Sequence, residues 1–177
     1  MYKRQVIIIG GGIFNTNDFD ISSGSFLVGS DSPKAVNFGS STVALRNGFS
    51  DDSFGSSLIL NSGTSHIIVD DNNQVFENYF RSAGHTFYDV TLNFNSTFYS
   101  PLTGNNSFNN LTVGAGSKVQ VGSGSTQTVT GELSAIANCL DSIFFSSSAD
   151  GVQYNFIKSS DTARFEVVNI QDFNASG

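Results

Sequence analysis

Asp51 and Asp52, His85 and Lys158 are the residue types from which a glycoside hydrolase builds its site. Such an enzyme sets an acid and a base across one sugar ring, with the two carboxyls about 6.5–9.5 Å apart when the anomeric centre inverts. A cation then holds the acid groups of the substrate. The four residues stand in Asp51-Asp52, Gly84-His85-Thr86 and Phe156-Ile157-Lys158, and Asn15-Thr16-Asn17 precedes them. Asn17 carries an amide and Phe156 no charge.

Other groups suggest other chemistry. Asp70-Asp71-Asn72-Asn73 is an oxygen-rich stretch, and Asp18 and Asp20 share one face of a strand. Calcium takes six to eight oxygen ligands, so Asp70 and Asp71 are the candidate metal ligands. The chain carries neither the EF-hand loop nor the glycine-aspartate nonapeptide of calcium solenoids, and a solvated corner is the preferred reading. Thr126, Thr128 and Thr130 fall on one side of a strand, but a water-ordering, ice-binding face needs an array of such strands. Asn95-Ser96-Thr97, Asn105-Asn106-Ser107, Asn110-Leu111-Thr112 and Asn174-Ala175-Ser176 match glycosylation sequons, and asparagine is frequent enough for chance to supply them. Cys139, the single cysteine, has no disulfide or CxxC partner and reads as a small buried hydrophobe. Gly10, Gly11 and Gly12 follow an apolar run as in a dinucleotide-binding turn. That turn must open a helix, whereas "IFNTNDFDISSGSF" alternates as a strand does, so the glycines mark a corner.

The elements that would position these residues are short and repetitive. "FGSSTVAL" at 38–45 returns as "FGSSLILN" at 54–61, and "HTFYDVTL" at 85–92 as "NSFNNLTV" at 106–113, with Phe87 matching Phe108. "ARFEVVNI" at 163–170 has the same shape, with Phe165 and Val168 in the places of Phe87 and Val90. Alternation with period two marks half-buried strands. Repeats of roughly 16–25 residues are too short to hold a crossover helix and are read as a coil of stacked strands. The stretch 131–142, "GELSAIANCLDS", fits either three turns of helix, with Leu133, Ile136, Ala137 and Leu140 on one side, or a variant strand turn.

"GNNSFNNLTVGAGSKVQVGSGSTQTVTGELSA" resembles repeats of large secreted bacterial surface proteins with a parallel β-helix, and "SIFFSSSADGVQYNFIKSSDTARFEVVNIQDFNASG" is similar to the turns that close such arrays. The resemblance runs from about Gly39 and is clearest after Gly84. It implies an all-β fold, a right-handed single-stranded parallel β-helix, and secretion to the cell surface. It also implies a structural or adhesive role with no catalytic residues and no cofactor. The order of the hydrolase-like motifs is similar to that of the polygalacturonases, also β-helices, in which a carboxylate stands at the place of Asn17 and a substrate-binding Arg at the place of Phe156. Its motifs start at 15, 51, 84 and 156, further apart than one repeat. A polysaccharide-degrading enzyme, or a carbohydrate- or ice-binding face, is the alternative.

Composition agrees. Of 177 residues, 13% are charged, 18 are Gly and 17 are Phe, with no Trp. Aromatics at this density oppose disorder. A net charge of −7 opposes nucleic acid. No apolar run approaches the roughly 20 residues of a membrane span, and Val6 to Ile9 is too short for a signal-peptide core, so a secretion signal is expected to lie outside these residues. The expected partners are extracellular polysaccharide or cell-surface glycans, together with flanking domains of the same parent chain. "MYKRQ", residues 1–5, is what GTG TAT AAG AGA CAG encodes when GTG is read as a start codon, the end of a sequencing adapter. Residues 1–5 are therefore expected to be a non-native leader, and 6–177 one β-helix domain cut from a longer array.

Overall fold

The computed structural model describes residues 5–29, 32–52, 58–70, 78–95, 97–159 and 162–176. Residues 1–4 of the expected leader lie outside them. The strands run β1 (Val6–Ile9), β2 (Gly12–Asn15), β3 (Ile21–Gly29), β4 (Lys34–Asn37), β5 (Thr42–Asp52) and β6 (Leu58–Asn61). They continue with β7 (His66–Asp70), β8 (Tyr79–Arg81), β9 (Thr86–Asn93), β10 (Ser100–Thr103), β11 (Ser107–Val113) and β12 (Lys118–Val121). The last are β13 (Thr126–Val129), β14 (Leu133–Ile136), β15 (Ile143–Ser147), β16 (Tyr154–Lys158), β17 (Ala163–Glu166), β18 (Val168–Ile170) and β19 (Phe173–Ser176). Among the described residues every strand pair is parallel, and there is no helix. The chain is an all-β parallel solenoid of about 7 turns.

Three ladders form its faces. One runs from β1 through the second half of β3, the end of β5, β8, β10, β12 and β15 to β18. A second joins the starts of β3 and β5 to β7, β9, β11, β14 and β17. The third is β2, β4 and β6, and further along the coil the starts of β9 and β11, then β13, β16 and β19. Parallel strands in register set equivalent side chains about 4.8 Å apart. Inward positions therefore make files. Ile21, Val43, Ile67, Val90, Leu111 and Leu133 follow one another along the second face.

The phenylalanines form two such files. Phe26, Phe49 and Phe80 share register on the first face, with ring centroids 5.8 and 5.5 Å apart. Phe87 and Phe108 stack at 5.8 Å on the third. The files meet where Phe80 and Phe87 stand edge to face at 4.9 Å. All five are buried, so the repeated Phe does mark the core.

Corners are four-residue turns closed by a serine N–H. Ser41 donates to Phe38 O, Ser65 to Ser62 O, Ser117 to Gly114 O and Ser125 to Gly122 O. Gly39 and Gly63 sit second in their turns with φ of 56° and 57°; Gly116 and Gly124 sit third. Gly63 lies against the Gly39 carbonyl of the preceding turn, leaving no room for a Cβ. The glycines after β1 are a corner as expected: Gly12 takes φ 78° and its N–H donates to Pro33 O.

Two sequence repeats do not correspond to turns of the coil. β6 is in register with β4, not with Thr42–Leu45, so the 16-residue echo of "FGSS" is not a turn; Phe54 lies outside the described residues. Phe165 pairs with Ala135, in the file of Leu92 and Val113 rather than that of Phe87. The stretch 131–142 forms a strand, not a helix. Leu133 and Ala135 alternate inward while Ile136 and Leu140 face solvent, the latter 93% exposed. Cys139 is exposed, contrary to expectation. Asn138 Oδ1 accepts the N–H groups of Leu140 and Asp141, and this tight turn carries Cys139 outside the coil.

Two substitutions test the stacking. Phe87→Ala empties a site walled by Phe49, Phe80 and Phe108 and is expected to lower unfolding free energy by about 3–5 kcal/mol in urea titration. Gly63→Ala combines a left-handed backbone with a collision. Gly124→Ala has φ 70° but open space around it. The second should cost about 1–2 kcal/mol and the first clearly more; equal costs would contradict the close approach of successive corners.

Candidate functional site

The hydrolase-like residues divide. Asp51 occupies an inward position, in register with Val28 and Ile9 on the first face. His85 precedes β9, one residue before the third face begins. The two faces converge there, and His85 Nε2 lies 2.7 Å from Asp51 Oδ2. The side chains are 15% and 1% exposed. Asp52, the next residue along the strand, points the opposite way and is exposed.

His85 starts an inward polar file that sequence reasoning missed. Pairing of Ser107 with Thr86 and with Thr128 sets Asn106 beside His85 and Gln127 beside Asn106. Asn106 Nδ2 donates to Gln127 Oε1 at 3.0 Å and to Thr103 O at 2.9 Å. Gln127 Nε2 donates to Gly104 O at 2.7 Å. Asn106 and Gln127 are 1% and 0% exposed. The phase of the alternation was the available signal, since Gln127 shares its face with Val129. These amides satisfy backbone carbonyls where the chain bends between faces, a requirement of any buried corner. Asp51, His85, Asn106 and Gln127 thus form a polar seam along the inside of the coil, buried except for the partly exposed His85.

The remaining sequence candidates serve the corners. Asp18 Oδ1 accepts the Ser40 N–H at 2.7 Å, and Asp20 Oδ1 the Thr42 N–H at 2.7 Å, each fastening the next turn. Asp70 ends β7, half-buried and level with Asn93. Asp71 lies outside the described residues. Among the described residues no three His, Cys, Asp or Glu side chains are grouped as a metal would need. Thr16 is buried and donates to Phe38 O at 2.8 Å. Thr128 has Ser107 and Ile157 as its neighbours, so no flat threonine array forms there. The sequon residues Asn105 and Asn110 accept the N–H groups of Thr126 and Glu132 in the following turn. On the third face Asn15, Asn37 and Asn61 stack outward, with Asn61 Nδ2 donating to Asn37 Oδ1 at 2.6 Å.

Lys158 is far along the coil from Asp51, at the end of β16 in the file of Phe108 and Val129. Four residues earlier Tyr154 is fully buried, and its hydroxyl has no hydrogen-bond partner. Burial pushes its pKa above the usual tyrosine range, and the carboxylate of Asp172 adds to the effect.

Comparison with known proteins gives no matching family model, no matching curated relative and no matching solved structure. The reading of this site rests on its own geometry.

Two outcomes are expected. Asp51→Ala removes the acceptor of a buried hydrogen bond and should cost about 1.5–3 kcal/mol in chemical unfolding. The unfolded chain ionises Tyr154 near pH 10 while the folded chain keeps it neutral. Its contribution is therefore present below pH 10 and is lost as the pH rises further. Tyr154→Phe should flatten that alkaline fall in stability, measured by urea midpoints from pH 8 to 11, without weakening the protein at neutral pH.

Proposed function

We propose that this chain is a non-catalytic structural and adhesive segment of a secreted bacterial cell-surface protein. The observation that carries this reading is the seclusion of the Asp51–His85 pair. Asp51 is 1% exposed and in hydrogen-bond contact with His85, so its carboxylate is not offered to a saccharide. The carboxylates of Asp18 and Asp20 are turned to the hydrogen bonds that join one turn to the next. A coil whose interior is filled by side-chain files is a rigid spacer, and repeat architecture lets it be extended turn by turn.

Its proposed partner is an extracellular polysaccharide or a cell-surface glycan. The second face presents His66, Asp89 and Asn110 outward in one register column, and Asn110 joins it to Glu132. Arg164 lines the same groove as Asn110 and Glu132. Hydrogen-bonding groups repeated about every 4.8 Å along the axis suit a polymer lying along the coil.

The proposal is tested with pectin, polygalacturonate and neutral plant and bacterial polysaccharides. Affinity electrophoresis should show retardation by at least one of them, weakened by Glu132→Ala, with reducing-end release at background. Turnover that disappears in Asp52→Ala would replace the structural reading with an enzymatic one. Absence of retardation by every polymer would remove the glycan partner.

A further inference from the structure

Three successive corners that join the second face to the first differ in length. The corner between β11 and β12 is residues 114–117, whereas those before and after it in the coil, 94–99 and 137–142, are longer. The long corners stand on either side of the short one and enclose a cleft of about 260 Å3. Gly116 and Lys118 form its floor, Asn95 and Thr97 one wall, and Leu140, Asp141 and Ser142 the other, with Phe144 beside them. The ladder runs on past the cleft in both directions, since β10 also pairs with β8 and β15 with β18. The cleft is therefore a feature of the middle of the coil.

Its walls are held by the chain itself. Asn138 Oδ1 accepts the N–H groups of Leu140 and Asp141, the Gly116 N–H donates to Asp141 O at 2.8 Å, and Lys118 Nζ donates to Thr97 O at 3.1 Å. A site shaped before binding loses little affinity to ordering. Asn95, Asp141, Ser142 and Lys118 bring an amide, a carboxylate, a hydroxyl and an ammonium to one small space. Phe144 and Leu140 bring apolar surface to the same place, and Leu140 is held 93% exposed at the rim. One positive and one negative group together disfavour a charged ligand, which one attracts and the other repels. A wholly apolar ligand would strip water from four polar groups and return no hydrogen bond. A neutral ligand rich in hydroxyls satisfies them all, because each hydroxyl both donates and accepts. Phe144 and Leu140 ask for an apolar C–H face on that same ligand. A hexose ring has both properties.

We propose that this corner cleft binds one neutral hexose residue, at the end or on a side branch of a glycan. The sugar lays its C–H face on Phe144 and Leu140, Asp141 accepts from adjacent hydroxyls, and Lys118 and Asn95 donate to others. Gly116 leaves the floor open: a Cβ there would come within 3.3 Å of Asn95 Oδ1. The site goes beyond the glycan partner proposed above, which lies along the second face at Asn110, Glu132 and Arg164, and it stands or falls without that groove.

The test follows backbone amide resonances of the whole isotope-labelled chain during titration with the methyl glycosides of glucose, galactose and mannose, and with glucuronate and galacturonate. At least one neutral glycoside should shift the amides of Gly116, Lys118 and Asp141 with a millimolar dissociation constant, and the uronates should bind more weakly. Asp141→Ala should weaken that binding at least about tenfold, a loss of about 1.4 kcal/mol. Asp141→Asn serves the same purpose if the alanine variant does not fold. Glu132→Ala should leave the response unchanged, which separates this cleft from the groove on the second face. Three results overturn the proposal: no shift at these amides with any glycoside at saturating concentration, a uronate that binds more tightly than every neutral glycoside, or an affinity unchanged in the Asp141 variants. A response lost in Glu132→Ala would overturn it in favour of the second face.

Discussion

In-register parallel pairing is the constraint on which everything else in this protein depends. Each strand offers its hydrogen bonds to the strand above and the strand below, so no turn is free to slide. A slip of one residue would exchange the inward and outward sets along a whole face. Among the described residues the one irregularity of pairing, between Ser23 and Ser25, lies at the bend between two faces, where β3 changes from the second to the first. Everywhere else a residue inherits its environment from the equivalent residue one turn away. Phe stacks on Phe, Asn on Asn and corner glycine on corner glycine because the backbone leaves them no other arrangement.

That inheritance explains how the coil tolerates polar groups inside. A corner must bend the chain, and bending leaves backbone carbonyls that no neighbouring strand can satisfy. Asn106 and Gln127 supply donors at such points, and they also bond each other because they occupy the same place in successive turns. Asp51 and His85 extend the seam across the boundary between two faces. Residue types suited to acid–base chemistry thereby take part in the packing of the coil. Lys158 differs because it is charged and its buried Nζ makes no hydrogen bond, on β16, one turn below the last strands.

The fold was largely legible. Alternation at 85–92 and 106–113 located two strands, and the match of Phe87 with Phe108 is the true register. The echo between 38–45 and 54–61 misled, because a recurring corner such as "FGSS" reports the local turn and not the distance between turns. Observed steps vary, from Phe87 to Phe108, from Phe26 to Phe49 and from Phe49 to Phe80, since corners differ in length while faces keep their register. The "ARFEVVNI" segment failed for the same reason: its shape is that of any alternating strand, and only pairing assigns it to a face. Cys139 was misjudged because burial statistics for cysteine carry no weight against a turn fixed by Asn138.

By itself the sequence determined that this chain forms a coil of short stacked strands. Period-two alternation, glycine and asparagine at corners, and a repeated aromatic each follow from local geometry. The tertiary structure alone decided which carboxylate is hidden, which histidine reaches it and which lysine lacks a partner. Those outcomes depend on register between segments more than twenty residues apart, and on where two faces converge. Neither quantity is written in any one repeat, because a strand's own residues fix which way its side chains alternate but not which strand will lie above it.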